Sequence, residues 1–90
     1  MSFRISYTGE ARLALHSMPG NYRIRARRLL ESLAKNPQPN GAKQLRDMPG
    51  YFRLRLNGWR VIYRVDQETG SLLILAIRRK TGPETYQNLE

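Results

Sequence analysis

Arg53, Arg55, Arg60 and Arg64 alternate with apolar and aromatic residues on either side of Asn57-Gly58, in the stretch YFRLRLNGWRVIYRV from Tyr51 to Val65. Asn-Gly between two alternating runs is a strong hairpin signal, because a two-residue type I′ turn needs positive φ at both positions. A two-residue loop sets Leu56 opposite Trp59, Arg55 opposite Arg60, Leu54 opposite Val61, Arg53 opposite Ile62 and Phe52 opposite Tyr63. One face of this hairpin is then apolar and the other carries the arginines. Like charges facing each other across a ladder destabilise it, so an arginine pair at 55 and 60 points to an anion that uses the face. Guanidinium forks grip phosphate at two points, and several of them on one phosphate stabilise the extra charge of a pentacoordinate transition state. A solvated face, or a guard against edge pairing, is the plainer explanation. Clustering on one face with an opposed pair favours anion binding.

Other residues are candidates to converge on that face. Arg46 precedes the Met48-Pro49 turn, and the basic run Arg78-Arg79-Lys80 leaves the last apolar stretch. Tyr86 follows six residues after Lys80, and a tyrosine beside a basic patch can stack a nucleobase. His16 falls beside core positions of a helix and reads as structural, which removes a two-histidine nuclease mechanism. The sequence offers no carboxylate pair, glycine-rich phosphate loop, nucleophile elbow or metal-ligand spacing, so no metal or other cofactor is expected.

The elements that hold these residues follow from periodicity. Phe3, Ile5 and Tyr7 alternate in a first strand, and Thr8 offers an N-cap. Ala11, Ala14, Leu15 and Met18 recur at helical spacing until Pro19-Gly20-Asn21. Tyr22, Ala26, Leu29, Leu30 and Leu33 mark a second helix, with Arg23, Arg27, Arg28 and Lys35 on its outer side. A Pro- and Asn-rich loop from Asn36 to Gly41 leads to a brief pairing segment at Ala42 to Arg46. Ser71 to Ile77 is apolar at almost every position, as in a strand buried on both faces. The expected fold class is α+β: two N-terminal helices on one face of a small, mainly antiparallel twisted sheet, in the order β-α-α-β-β-β. The helices should cover the face of Phe52, Leu54 and Val61, leaving the arginine face open.

Ninety residues suit one domain spanning 1–90. Sixteen Lys and Arg against seven Asp and Glu give a formal charge of +9, a field that suits nucleic acid, an anionic membrane or an acidic partner. No cysteine is present and no stretch has the length of a membrane span, so a soluble cytoplasmic protein is expected.

Together the element order, Gln44-Leu45-Arg46-Asp47-Met48-Pro49-Gly50, the hairpin with Gly58-Trp59-Arg60-Val61-Ile62-Tyr63-Arg64-Val65, and the closing Arg78-Arg79-Lys80 with Glu84-Thr85-Tyr86 resemble the RelE/ParE toxin superfamily over essentially the whole chain. The resemblance implies the toxin of a type II toxin–antitoxin pair, RelE-like: a metal-independent mRNA interferase that enters the ribosomal A site. It cuts by attack of the RNA 2′-hydroxyl, leaving a 2′,3′-cyclic phosphate and a 5′-hydroxyl. It implies a catalytic set of Arg53, Arg55, Arg60, Lys80 and Tyr86, with Arg46, Arg78 and Arg79 contacting RNA. Spacing leaves Arg78, Arg79 and Lys80 as alternatives for the last basic position. Implied partners are a cognate antitoxin and the ribosome with its mRNA and rRNA. Arginine at 53 and 55, where RelE has lysine, is a poor general base. The competing functions are a ParE-like inhibitor of DNA gyrase and an RNA-binding module without catalysis.

Overall fold

The computed structural model describes residues 2–79. Its elements are β1 (Arg4–Tyr7), α1 (Gly9–His16), α2 (Gly20–Ser32), β2 (Lys43–Gln44), β3 (Tyr51–Leu56), β4 (Trp59–Asp66) and β5 (Ser71–Arg79). The strands form one sheet in the order β1-β5-β4-β3-β2. All neighbours are antiparallel except β1 and β5, which run parallel with Arg4 opposite Ser71 and Tyr7 opposite Ile74. The expected α+β class is the observed one.

Thr8 starts α1 as the sequence predicts: its hydroxyl accepts from the Ala11 N–H at 3.1 Å, answering one of the donors a helix start leaves open. Pro19, which cannot continue a helix, separates α1 from α2. Ala11, Leu15 and Met18 from the first helical segment join Ala26, Leu30 and Leu33 from the second, all buried. They pack on Phe52, Leu54, Val61, Tyr63, Val65, Leu72, Ile74 and Ile77, so both helices cover the apolar face of the hairpin. Burying each large aliphatic side chain stabilises the fold by about 1.5–3 kcal/mol before entropy is counted. Phe52 and Tyr63 stack across β3 and β4 with centroids 5.6 Å apart, fastening the middle of that face.

Three expectations need correction. Tyr22 is 38% exposed: it stands one turn before Ala26, where the core has already ended. His16 is exposed at the last turn of α1 rather than beside the core, and its carbonyl accepts from Arg23 Nη1 at 3.3 Å. The arginine face is not open throughout, because Arg60, Ile62 and Ala76 are buried there, outside the core cluster beneath the helices. Among the described residues, no helix is long and apolar enough to cross a membrane.

Candidate active site

The turn at Asn57 (φ 46°) and Gly58 (φ 81°) has the two positive φ angles that a type I′ hairpin needs. The β3–β4 register is the predicted one, with Arg55 opposite Arg60 and Arg53 opposite Ile62. On its other edge β4 pairs with β5, and Arg60 lies opposite Arg78. Arg55, Arg60 and Arg78 therefore stand abreast across three strands on the face away from the helices. Neighbouring Cα atoms in such a row are about 4.5–5.5 Å apart, so three positive charges share a small area. Arg60, in the middle, is only 2% exposed. A guanidinium held out of bulk water interacts more strongly with an arriving anion than a solvated one does.

One irregularity decides which terminal arginine joins the row. The β4–β5 register shifts between Ile62 and Tyr63: Tyr63 pairs with Ile74, whereas Ile62 pairs with Ala76. Leu75 is the extra residue of a bulge. An unbroken ladder would set Arg78 opposite Trp59; the bulge sets it opposite Arg60 and turns Arg79 to Trp59. The Arg79 guanidinium lies 5.9 Å from the centre of the Trp59 ring. Thr8 holds the bulge, its hydroxyl donating to the Leu75 carbonyl at 2.6 Å while it caps α1. Arg78 Nε also donates to Glu10 Oε2 at 3.2 Å, an exposed pair that ties the end of β5 to the first turn of α1.

Arg46 sits in a compact loop. Leu45 N–H donates to Tyr51 O (2.8 Å), Met48 N–H to Leu45 O (3.2 Å) and Tyr51 N–H to Met48 O (3.1 Å). Asp47 adopts φ 58° and Gly50 φ 89°, and a Cβ on Gly50 would lie 3.2 Å from the Val65 carbonyl. This geometry returns Arg46 toward β3, where it lines a cleft with Gln44, Leu45 and Arg53. A second cleft, of about 320 Å³, is bounded by Asn40, Gly41, Lys43, Arg53, Leu54 and Arg55. A third lies between Arg55, Gly58, Trp59 and Arg60. Shared walls at Arg53 and Arg55 join the three into one groove running from Arg46 to Arg60.

Lys43, opposite Arg53 on β2, belongs to this groove and was not singled out by sequence reasoning. Alternation was the available signal, since the pairing register puts Lys43 on the Arg53 face; a two-residue strand is too short to show it. The loop before Lys43 is anchored by Tyr63, whose hydroxyl donates to the Pro37 carbonyl at 2.6 Å. Burial pushes the Tyr63 hydroxyl up to about 12, so it remains a protonated donor at neutral pH. Arg46, Arg53, Arg55, Arg60 and Arg78 are thus brought together, Arg79 is turned to Trp59, and Lys80 and Tyr86 lie outside the described residues. His16 lines a different cleft, with Arg23, Ile24, Arg27, Arg28 and Glu31 on the helices, which cover the opposite face of the sheet. Among the described residues no three of His, Asp or Glu cluster closely enough to hold a metal ion.

The family described as the ParE toxin of the type II toxin–antitoxin system parDE matches residues 5–81. The chain belongs to this toxin family. Solved structures of RelE toxins share its fold. A chain of the RelBE2 toxin–antitoxin complex of Mycobacterium tuberculosis is 26% identical, with a TM-score of 0.75 over 88% of this chain and 99% of that one. The archaeal RelE–RelB complex of Pyrococcus horikoshii gives 24% identity and a TM-score of 0.82 over 92% and 100%. The isolated RelE toxin of E. coli gives 18% identity and a TM-score of 0.79 over 97% and 94%. No curated protein matches the sequence. As a type II toxin with a RelE-like fold, the chain carries its arginine row on the sheet face that its helices leave uncovered.

Proposed function

We propose that this toxin is a ribosome-dependent mRNA endoribonuclease whose scissile phosphate binds over Arg53, Arg55 and Arg60. The observation that carries this reading is the row Arg55–Arg60–Arg78 with Arg60 buried at its centre. Arginines already held in place by the sheet stabilise a phosphate most where it passes to a more negative transition state. The 2′-hydroxyl of the RNA attacks phosphorus and the P–O5′ bond breaks, giving a 2′,3′-cyclic phosphate and a 5′-hydroxyl without a metal ion.

Arg60 and Arg55 stabilise the transition state and Arg53 orients the phosphate. Arg78 extends the row toward the next phosphate, and Arg46 holds the strand at the far end of the groove. Lys80, an alternative to Arg78 and Arg79 for the last basic position, and Tyr86, the match to a base-stacking tyrosine, lie beyond the described residues. The whole chain, 1–90, acts as one domain in the cytoplasm, where its substrate is the ribosome carrying mRNA in the A site. Its second partner is a cognate antitoxin. The similar chains from M. tuberculosis and P. horikoshii were solved in complex with RelB-type proteins, and a charge of +9 suits an acidic segment wrapped around the body.

A gyrase-inhibiting function is the second reading. It is favoured by the ParE description of the matching family and by arginine in place of a base at 53 and 55. Purified protein added to programmed ribosomes and, separately, to gyrase with supercoiled plasmid distinguishes the two. The nuclease reading expects mRNA cut at a defined A-site position with a 5′-hydroxyl product. Intact mRNA alongside inhibited gyrase would refute it.

A further inference from the structure

Breaking the P–O5′ bond leaves an alkoxide that must gain a proton, and arginine, with a pKa above about 12, releases protons poorly. The described residues lining the groove from Arg46 to Arg60 include four arginines and one other ionisable side chain, Lys43. Lys43 pairs with Arg53 across β2 and β3 and shares its cleft with Arg53 and Arg55. Several other titratable groups among the described residues lie elsewhere or are engaged. The Tyr63 hydroxyl is turned to Pro37, and His16 is on the helices. Glu10 holds Arg78, and the Tyr51 ring lies 5.8 Å beneath the Arg64 guanidinium. A lysine ammonium gives up its proton far more readily than a guanidinium, whose charge is delocalised over three nitrogens.

We propose that Lys43 is the general acid of the cleavage step, an inference that rests on the nuclease reading above. As the 2′-oxygen bonds to phosphorus and its proton passes to solvent water, the P–O5′ bond breaks with its electron pair on the 5′-oxygen. The Lys43 ammonium donates a proton to that oxygen, giving the 5′-hydroxyl, and the resulting amine is reprotonated by solvent. The arginines bear the charge on phosphorus while Lys43, at the adjoining strand, serves the leaving group. Such a division of labour gives Lys43 a reason to stand among the arginines of the groove.

The test is single-turnover cleavage on programmed ribosomes of two mRNAs, one natural and one with a bridging 5′-sulfur at the bond the wild-type protein cuts. A thiolate leaves without a proton, so only the oxygen substrate needs an acid. Lys43→Met and Lys43→Arg are each expected to slow the oxygen substrate by about 10²–10⁴-fold while cutting the sulfur substrate at close to the wild-type rate. Full activity in Lys43→Arg would reduce the role to charge and overturn the proposal. Equal losses on both substrates, or no loss, would overturn it too. A wild-type protein that cuts neither mRNA would instead refute the nuclease reading, and Lys43 with it. Lys43 is exposed on a short edge strand, and the melting temperature of each variant confirms that it folds.

Discussion

Replacing Tyr63 by Phe removes one hydroxyl from a side chain that is fully buried, and its consequences follow from a single contact. The hydroxyl donates to the Pro37 carbonyl at 2.6 Å, linking the middle of β4 to the loop that precedes Lys43. Phe keeps the ring and its stacking on Phe52, so the loss is confined to the hydrogen bond and the carbonyl it leaves behind. A net hydrogen bond contributes about 0.5–1.5 kcal/mol, and an orphaned acceptor costs about 1–3 kcal/mol when it cannot reach water. Pro37 is half-buried, which sets the expectation at about 1–2 kcal/mol, or a melting temperature lower by about 5–10 °C for a domain of this size.

The same residue predicts a pH dependence. Burial disfavours the phenolate and pushes its hydroxyl up to about 12 in the folded protein, against about 10 for an ordinary tyrosine. A raised folded pKa contributes stability that is complete below pH 10 and is lost as pH rises through 12. At pH 11 the loss amounts to about 1.4 kcal/mol, present in the wild type and absent in Tyr63→Phe. Urea unfolding of both proteins at pH 8 and pH 11 measures it as a narrowing of the gap between them. An unchanged gap, or a variant as stable as the wild type at pH 8, would refute the role assigned to the Tyr63–Pro37 bond.

Two further substitutions probe what places the arginines. Thr8→Val removes both the cap on Ala11 and the bond to the bulge carbonyl of Leu75, and thermal unfolding should show a loss of about 1–3 kcal/mol. Arg78→Ala should lower the affinity for programmed ribosomes and reduce its salt dependence by about one counterion, whereas Arg79→Ala should change both much less, because Arg79 faces Trp59. Equal effects from the two, read from binding titrations at several salt concentrations, would contradict the register set by the bulge.

The hairpin was legible residue by residue because Asn57-Gly58 admits one turn type, and the turn leaves one register for Arg55 and Arg60. The Thr8 cap and the helical core positions Ala11, Leu15, Ala26, Leu30 and Leu33 were legible for a similar reason: local chemistry and period agree there. What the sequence left open was long-range. The parallel pairing of β1 with β5 joins residues more than sixty positions apart, and no local pattern signals it. The bulge at Leu75 is one apolar residue in an apolar run, yet it decides that Arg78 and not Ile77 stands opposite Arg60. Lys43 was missed because two paired residues carry no period. The burial of Arg60 was missed because alternation assigns a face and says nothing about how deep a residue sits on it.

The central claim is that the buried arginine of the row stabilises the charge developing on a scissile phosphate. Single-turnover cleavage of mRNA on programmed ribosomes by Arg60→Ala, compared with the wild type at matched ribosome occupancy, tests it most directly. Arg60→Met serves in its place if the shorter side chain melts early. The account predicts a rate lower by about 10²–10³-fold with ribosome binding largely kept, as expected for loss of a transition-state contact. A folded variant that cuts at the wild-type rate would contradict it.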